Sequence, residues 1–401
     1  MENKKKGCGC AGCIVPVFVI ICIAIIVSII GYVVGDNDSD TPTPSPSGFE
    51  YDDDTSDVVI DNSASNDSYY YNCLNDGEKS AYNSALSSAL NGKDTFVVYA
   101  STGVDSNDEM WRVIKALTYD HPELYWINCG WDKVQYSGKD ATISFSNGSY
   151  WDYSIDQTKR ISALEEEVEK AAKLAKKNAS DEYGMVKFVH DYLVDLADYD
   201  YDAVDEYFSA NRSASCEYIF TAYGCLVNHR TVCAGYAKAF QMIMNKLGIP
   251  CTYVSGFAGE NHAWNRVTID GNGYYIDLTW DDKVFDKKQV IDYSYFNFTT
   301  SELLNSRTLD ESFSQPLCTE TECNYYVRNG YLVNNYSIDA VKNIVVPQLS
   351  EPTVDIKFTS ADDFKRALDD MKNGKWTNVC GISGYSYITD ENMLTVTLFV
   401  K

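Results

Sequence analysis

The sequence predicts an α+β protein with a central unit in which a helix packs beside an antiparallel hairpin. The chain has 401 residues, of which 45% are hydrophobic and 23% charged, a composition typical of folded chains with more than one domain. Apolar residues recur at helical spacing in the helix predicted from about residue 233 to residue 247. Two alternating runs, 262–269 and 274–280, flank the turn sequence Asp-Gly-Asn-Gly, a strong hairpin signal. We expect small α/β regions on both sides of this core and a transmembrane helix before it.

The charge of the chain argues against one class of partner. Its 58 Asp and Glu residues outnumber its 33 Lys and Arg residues, which gives a formal net charge of −25. Nucleic-acid binding depends on basic side chains that neutralise phosphates. We therefore expect no nucleic-acid partner.

The N-terminal part of the sequence predicts a membrane anchor. Residues 14–35 contain no charged side chain, and about 20 apolar residues cross a hydrocarbon core of about 30 Å. Lysines in residues 1–13 and aspartates after the span place this Cys- and Lys-rich tail in the cytoplasm and the globular part outside. Residues 36–68 form an acidic linker rich in Pro and Ser. A cleaved signal peptide is the alternative, but no convincing small-x-small site precedes the acidic stretch.

Three regions follow the linker. Residues 69–158 predict an α/β domain that contains no chemical motif, residues 159–330 hold the candidate active site, and residues 331–401 predict a small α+β region. In the first and last regions the periodicity predicts helices at 78–90, 107–119 and 361–371, and strands at 95–100, 124–128, 133–136, 141–145, 149–153, 354–358 and 393–400. We interpret the first region as a scaffold or recognition domain.

Cys233 stands at the start of a predicted helix. Thr231 is a candidate N-cap, the apolar face runs to Leu247, and Gly248 ends the helix. Unpaired N–H groups and the helix dipole favour a thiolate in the first turn. Cys233 is therefore a candidate nucleophile.

The hairpin supplies a candidate general base and a carboxylate. His262 begins its first strand, and an acidic residue on the second strand can hold the imidazole. A symmetric register pairs His262 with Asp281, whereas Asp277 lies on the same face four residues away, roughly 13 Å along the strand. A bulge or slip in the Gly-rich turn would favour Asp277. The residues alone leave the choice between Asp277 and Asp281 open.

The ordered motifs VCAGYA, LGIPC, NHAWNRV and YYIDLTWDD resemble the core of the transglutaminase-like superfamily. The likeness covers about residues 181–326. It implies a papain-like Cys–His–Asp arrangement in which Cys233 is the nucleophile, His262 the base and Asp277 the acid that orients the base. The resemblance thus favours Asp277 over Asp281.

This resemblance implies an enzyme that acts on amide bonds through a thioester. Bacterial proteins that resemble the family are often hydrolytic, so we expect a cysteine protease or amidase with a protein or peptide substrate at the cell surface. A cross-linking transglutaminase or a deamidase is one alternative. A non-catalytic surface binding module on the same fold is another.

We expect no metal and no cofactor. Cys225, His229 and Cys233 follow each other at spacings that zinc ligands can adopt. A structural zinc site needs four ligands, however, and no fourth residue has an obvious spacing. No loop in the sequence would supply a calcium site.

Overall fold

The computed structural model of the protein describes residues 68–147, 157–209 and 214–400. The membrane helix predicted at residues 14–35, the linker up to residue 67 and the strand predicted at 149–153 lie outside these ranges. Within the described ranges, no helix is both long enough and apolar enough to cross a membrane.

Helices and strands are mixed along the described chain, as the sequence predicts. The helices are α1 (Tyr69–Asn72), α2 (Asp76–Leu90), α3 (Asn107–Asp120), α4 (Gln157–Asn178), α5 (Glu182–Leu196), α6 (Tyr201–Tyr207), α7 (Ala222–Leu226), α8 (Cys233–Leu247), α9 (Leu278–Asp281), α10 (Thr300–Leu303), α11 (Tyr325–Arg328), α12 (Ile338–Val345), α13 (Ala361–Lys372) and α14 (Lys375–Cys380). The strands are β1 (Thr95–Val98), β2 (Ile127–Ser137), β3 (Asp140–Asn147), β4 (Asp198–Tyr199), β5 (Arg230–Thr231), β6 (Cys251–Phe257), β7 (Asn261–Ile269), β8 (Asn272–Ile276), β9 (Asp282–Phe285), β10 (Lys288–Ile291), β11 (Thr308–Leu309), β12 (Leu332–Val333), β13 (Val354–Phe358), β14 (Tyr385–Asp390) and β15 (Thr395–Val400). Short 3₁₀ turns lie at Ala100–Thr102, Ala214–Phe220 and Val346–Gln348.

In the described part of the chain, three sheets have three or four strands, and β9 with β10 and β4 with β5 form two-stranded pairs. The first has the strand order β1–β3–β2, the central one β11–β6–β7–β8 and the last β12–β13–β15–β14. One hydrophobic core joins the helices and strands of residues 70–145 to those of residues 164–323. A second core, from residue 333 to residue 398, lies between the last sheet and helices α12 to α14.

Local sequence signals explain the two helices of the first region. Asn75 caps α2 in a capping box with Glu78, and Ser106 caps α3 in the same way with Glu109. Each box satisfies backbone N–H groups that have no partner inside the helix. The helices predicted at 78–90 and 107–119 are therefore confirmed, each within two residues of its ends.

The central helix α8 packs against the sheet that carries His262. The side-chain amide of Asn265 in β7 donates to Ala237 O in α8 at 2.9 Å and to Thr252 O in β6 at 3.3 Å. Asn265 is fully buried, where a satisfied donor rigidifies the packing. The amide thus fixes the strand of His262 against the helix of Cys233.

The N-terminus of α8 is capped differently from the sequence prediction, and a glycine in its first turn allows a close backbone contact. The N-cap is Val232, with no side-chain capping bond, while Thr231 donates from its hydroxyl to Ile219 O at 3.0 Å. Thr231 as a cap is therefore wrong, because its side chain serves the preceding segment. A Cβ at Gly235 would lie 2.7 Å from Ile219 O, so only glycine allows this close approach.

The hairpin has a tighter turn than the sequence indicated. Ile269 pairs with Asn272 across the two-residue turn Asp270–Gly271, and both turn residues have positive φ, 49° and 82°, as a type I′ turn requires. The second strand ends at Ile276. The strand predicted at 274–280 is therefore wrong beyond that residue, where the chain forms α9 instead.

Candidate active site

Cys233 lies in the first turn of α8 and is half-buried. The helix N-terminus has no side-chain cap, so the partial positive charge of its N–H groups remains available to an anion. The bond from Asn265 to Ala237 holds the next turn of the helix against the sheet. The thiol is therefore partly accessible and lies at the positive end of the helix dipole.

His262 is buried at the beginning of β7, and its imidazole links the other two predicted residues. Its Nε2 lies 2.8 Å from Asp277 Oδ2, and Cys233 is near enough to help raise the pKa of the imidazole. Because Nε2 is engaged by the carboxylate, Nδ1 is the ring nitrogen left for the thiol. The indoles of Trp264 and Trp280 lie beside the imidazole ring, each with its centroid 5.8 Å away.

Asp277 is positioned by the end of one strand and the start of a helical turn. Asn265 in β7 pairs with Ile276 in β8, so the residue that follows β8, Asp277, falls opposite Trp264, which lies two residues from His262 on the same face of the strand. Its Oδ1 accepts a hydrogen bond from Trp280 N at 3.3 Å, which makes it the N-cap of α9. The carboxylate is fully buried.

The electrostatics of the pair favour two charged partners. Burial lowers the pKa of His262, but the charge of Asp277 and the contact with Cys233 outweigh burial and raise that pKa well above its ordinary value. Burial raises the pKa of Asp277, but His262 and Arg307 reverse this and lower it to about 2. A cysteine thiolate is stabilised by a neighbouring imidazolium, and the imidazolium is in turn stabilised by a carboxylate on its other side.

Arg307 is a site residue that the sequence did not reveal. Its Nη2 donates to Asp277 Oδ2 at 2.7 Å, and both side chains are fully buried. It follows α10 in a stretch without periodicity, 30 residues from its partner. A single arginine in such a segment gives no sequence signal of burial.

Asp281 belongs to a separate buried network. Its Oδ2 lies 3.2 Å from Nε2 of His190, and its Oδ1 accepts from Tyr295 N at 2.9 Å. The other ring nitrogen of His190 lies 3.0 Å from Asp191 Oδ1. The symmetric register that paired His262 with Asp281 is therefore not the one observed.

The structure thus brings together Cys233, His262 and Asp277 and places Asp281 elsewhere. The catalytic roles of these three residues remain a prediction. In the described part of the chain, no group of three or more His, Cys, Asp and Glu side chains could hold a metal ion. Cys225 is buried and His229 is exposed.

Residues 169–277 match the family model of the transglutaminase-like superfamily. This stretch contains Cys233 and His262 and ends at Asp277. The matched segment therefore includes every residue of the buried Cys–His–Asp arrangement.

Known proteins are similar over parts of the chain. The kyphoscoliosis peptidases of Mus musculus and Homo sapiens are each 32% identical over 95 residues, which is 20% of this chain and 14% of theirs. A TGase crystal structure shares 19% identity over 42% of this chain and 48% of its own, with a TM-score of 0.30. A Cytophaga hutchinsonii protein assigned as a cysteine protease shares 18% identity over 35% and 52%, with a TM-score of 0.22.

The chain spans only a small fraction of the length of the curated relatives that it matches. Residues 169–277 belong to the transglutaminase-like superfamily.

Proposed function

We propose that this protein is a cysteine-dependent enzyme that cleaves amide bonds through a thioester on Cys233. The observation that carries the proposal is the 2.8 Å contact between Nε2 of His262 and Asp277. It engages Nε2 of the imidazole and so leaves Nδ1 as the ring nitrogen that can take the proton of the Cys233 thiol. Nucleophile, base and orienting carboxylate then have the relation that acyl-transfer triads share.

The reaction begins with transfer of the thiol proton of Cys233 to Nδ1 of His262. The thiolate attacks the amide carbonyl carbon, and backbone N–H groups at the N-terminus of α8 stabilise the resulting oxyanion. The tetrahedral intermediate collapses as His262 returns the proton to the departing amine, which leaves a thioester on Cys233. His262 then removes a proton from water, and the hydroxide attacks the thioester carbonyl carbon. The C–S bond breaks to release the acid, and His262 returns its proton to the thiolate of Cys233.

Water as the acceptor gives a peptidase or amidase, which is the reaction we propose. An amine as the acceptor gives cross-linking, and hydrolysis of a glutamine side-chain amide gives deamidation. All three share the thioester, so the arrangement of Cys233, His262 and Asp277 supports the common step and not one acceptor over the others.

The test is to incubate the full chain, purified in detergent, with a glutamine-containing peptide library and a primary-amine probe. We expect new peptide termini in mass spectra, and Cys233→Ala should abolish them. Ammonia release without chain cleavage would identify a deamidase, and amine incorporation would identify a transglutaminase. If the chain does none of these and all its thiols react alike with iodoacetamide, it is a binding module and the proposal is wrong.

We further propose that the enzyme acts on the outer side of a cell membrane, anchored through residues 14–35. The support is the charge-free apolar stretch between Lys4–Lys6 and the acidic linker. A protease added to intact cells should then digest the globular region and spare residues 1–13. Full protection of the globular region would contradict this topology.

A further inference from the structure

Arg307 has an unusual environment for a charged side chain. Its guanidinium is fully buried, donates from Nη2 to Asp277 Oδ2 at 2.7 Å and from Nη1 to Ser306 Oγ at 2.9 Å. Four aromatic rings surround it at centroid distances from 3.9 to 5.9 Å: Trp280, Tyr295, Phe298 and Trp264. Within the described ranges, its Nε has no hydrogen-bond partner.

This burial is costly unless the charge is compensated. A buried charge loses its hydration and must be offset by an ion pair, hydrogen bonds or aromatic faces. Arg307 has all three, and its ion pair is made with the same oxygen that binds His262. A packing role alone would not require a cation at this oxygen.

We infer that Arg307 is a positioning residue that fixes the Asp277 carboxylate against Nε2 of His262. The inference rests on the proposed function, since it assigns a role within the same triad. Arg307 holds Oδ2 from one side and the backbone N–H of Trp280 holds Oδ1 from another. With both oxygens held, the carboxylate has one orientation toward the imidazole.

The surrounding rings favour arginine over lysine at this position. A planar guanidinium can stack on Trp280 and Tyr295 while it donates to the carboxylate. An ammonium group is a compact point charge that is more strongly hydrated, so it would lose more on burial among these rings. A lysine here should keep the charge but hold Asp277 less firmly.

The charge of Arg307 also supports the ionised form of Asp277. The charged groups that face this carboxylate are His262 and Arg307. Asp281, at the other end of α9, faces His190 and Asp292 instead. Removal of Arg307 would leave the burial of Asp277 opposed by His262 and the Trp280 N–H without the second positive charge, so the carboxyl should accept a proton at higher pH.

The first test compares Arg307→Met and Arg307→Lys with the control Arg328→Met. Arg328 makes a similar pair, with a 2.8 Å bond to Asp181 Oδ2 and its guanidinium 4.1 Å from the Tyr183 ring centroid, but in a partly exposed position. We expect Arg307→Met to lower kcat by about 10²-fold with little change in KM, as a small misplacement of a catalytic group does. Arg307→Lys should lower kcat less, and Arg328→Met should leave it unchanged.

Circular dichroism establishes whether each variant is folded. If Arg307→Met does not fold, Arg307→Lys decides the matter, because a wild-type kcat in that variant would overturn the inference. A loss that appears in KM alone would also overturn it, since it would indicate substrate contact instead of positioning.

The second test is independent of activity. Ring ¹⁵N signals of His262, assigned by comparison with His262→Gln, are followed in the full chain as the pH is lowered. In Arg307→Met the acid-side change of these signals should move up by about one pH unit or more, because an opposite charge lowers a neighbouring carboxyl pKa by about that amount. Unchanged signals would overturn the role of Arg307.

The two tests separate the inference from the proposed function. If the wild-type chain cleaves no amide, the proposed enzymatic function is wrong. A shifted His262 titration in Arg307→Met would still support the positioning of Asp277 by Arg307. If the wild-type chain cleaves amides but its His262 signals and kcat do not change in Arg307→Met, only the inference about Arg307 is wrong.

Discussion

Asp277 and Asp281 stand at the two ends of one helical turn, joined by a backbone hydrogen bond of 3.2 Å from Asp281 N to Asp277 O. Their carboxylates serve two different buried histidines, His262 and His190. The two carboxylates, only four residues apart along the chain, thus lie in two separate sites. The reason is that the strand stops at Ile276 and the helical turn directs Asp281 toward α5.

The isosteric pair Asp277→Asn and Asp281→Asn tests which carboxylate orients the base. Asp277→Asn should lower kcat on the order of 10²–10⁴-fold, by analogy with other triads, because the imidazole loses the partner that fixes its tautomer. Asp281→Asn should leave kcat per folded molecule close to wild type, since its oxygen can still accept from Tyr295 N. Steady-state kinetics check both, and the reverse ranking would make the assignment of Asp277 wrong.

Thiol labelling tests whether Cys233 is an activated nucleophile. We expect iodoacetamide to modify Cys233 before the other cysteines of the described ranges, most of which are buried. Cys73 is the matched comparison because it is exposed, although desolvation raises the pKa of its thiol. The measurement is peptide mass spectrometry over time. Labelling of Cys73 ahead of Cys233 would count against a thiolate–imidazolium pair.

The pH dependence of amide cleavage follows from the charge state of His262. The imidazolium donates the proton to the leaving amine, so activity is lost as the pH rises through the pKa of His262. Since that pKa is raised by Asp277 and Cys233, the alkaline limb of kcat against pH should lie well above the ordinary value of about 6.5. In Asp277→Asn the limb should move to lower pH, and an unchanged limb would mean that His262 is not the proton donor.

His190 makes stability depend on pH. Burial lowers its pKa, but the hydrogen bonds and charges of Asp191 and Asp281 reverse this and raise it to about 9, from 6.5. A raised histidine pKa contributes stability that is complete below about pH 6.5 and is lost as the pH rises through about 9. The free energy of unfolding should therefore fall across this window.

A variant comparison isolates the contribution of His190. His190→Gln should show a shallower fall in denaturant titrations, whereas His229→Asn, at an exposed position with φ of 58° that asparagine tolerates, should keep the wild-type slope. His262 contributes over a similar range but is present in both variants. Equal slopes in all three proteins would contradict a charged His190.

The sequence is sufficient for the parts of the site that carry local signals. The start of α8 at Cys233 and its end at Leu247 follow from helical periodicity and the left-handed C-cap Gly248. The position of His262 follows from the hairpin. Residues that act through distant contacts gave no such signal, and Arg307 meets Asp277 only after the chain has folded.

One error in the strand prediction has a clear physical cause. Residues 274–280 alternate as a strand does, and periodicity cannot show that the side chain of Asp277 will bind Trp280 N and start a helix. Asp277 thus has a helix-capping function in addition to the catalytic role expected from the sequence. The same residue therefore ends the strand and presents the carboxylate.

The two-residue turn Asp270–Gly271 has a consequence for comparing copies of this domain. Side chains on a strand alternate between faces, so one inserted residue in the turn would exchange the faces of β8 and direct Asp277 away from His262. Such an insertion would leave cysteine, histidine and aspartate intact in an alignment. Whether residues have been inserted in this hairpin turn in odd or even number is thus a criterion for telling copies of the domain with an assembled site from copies without one, when all three residues are retained.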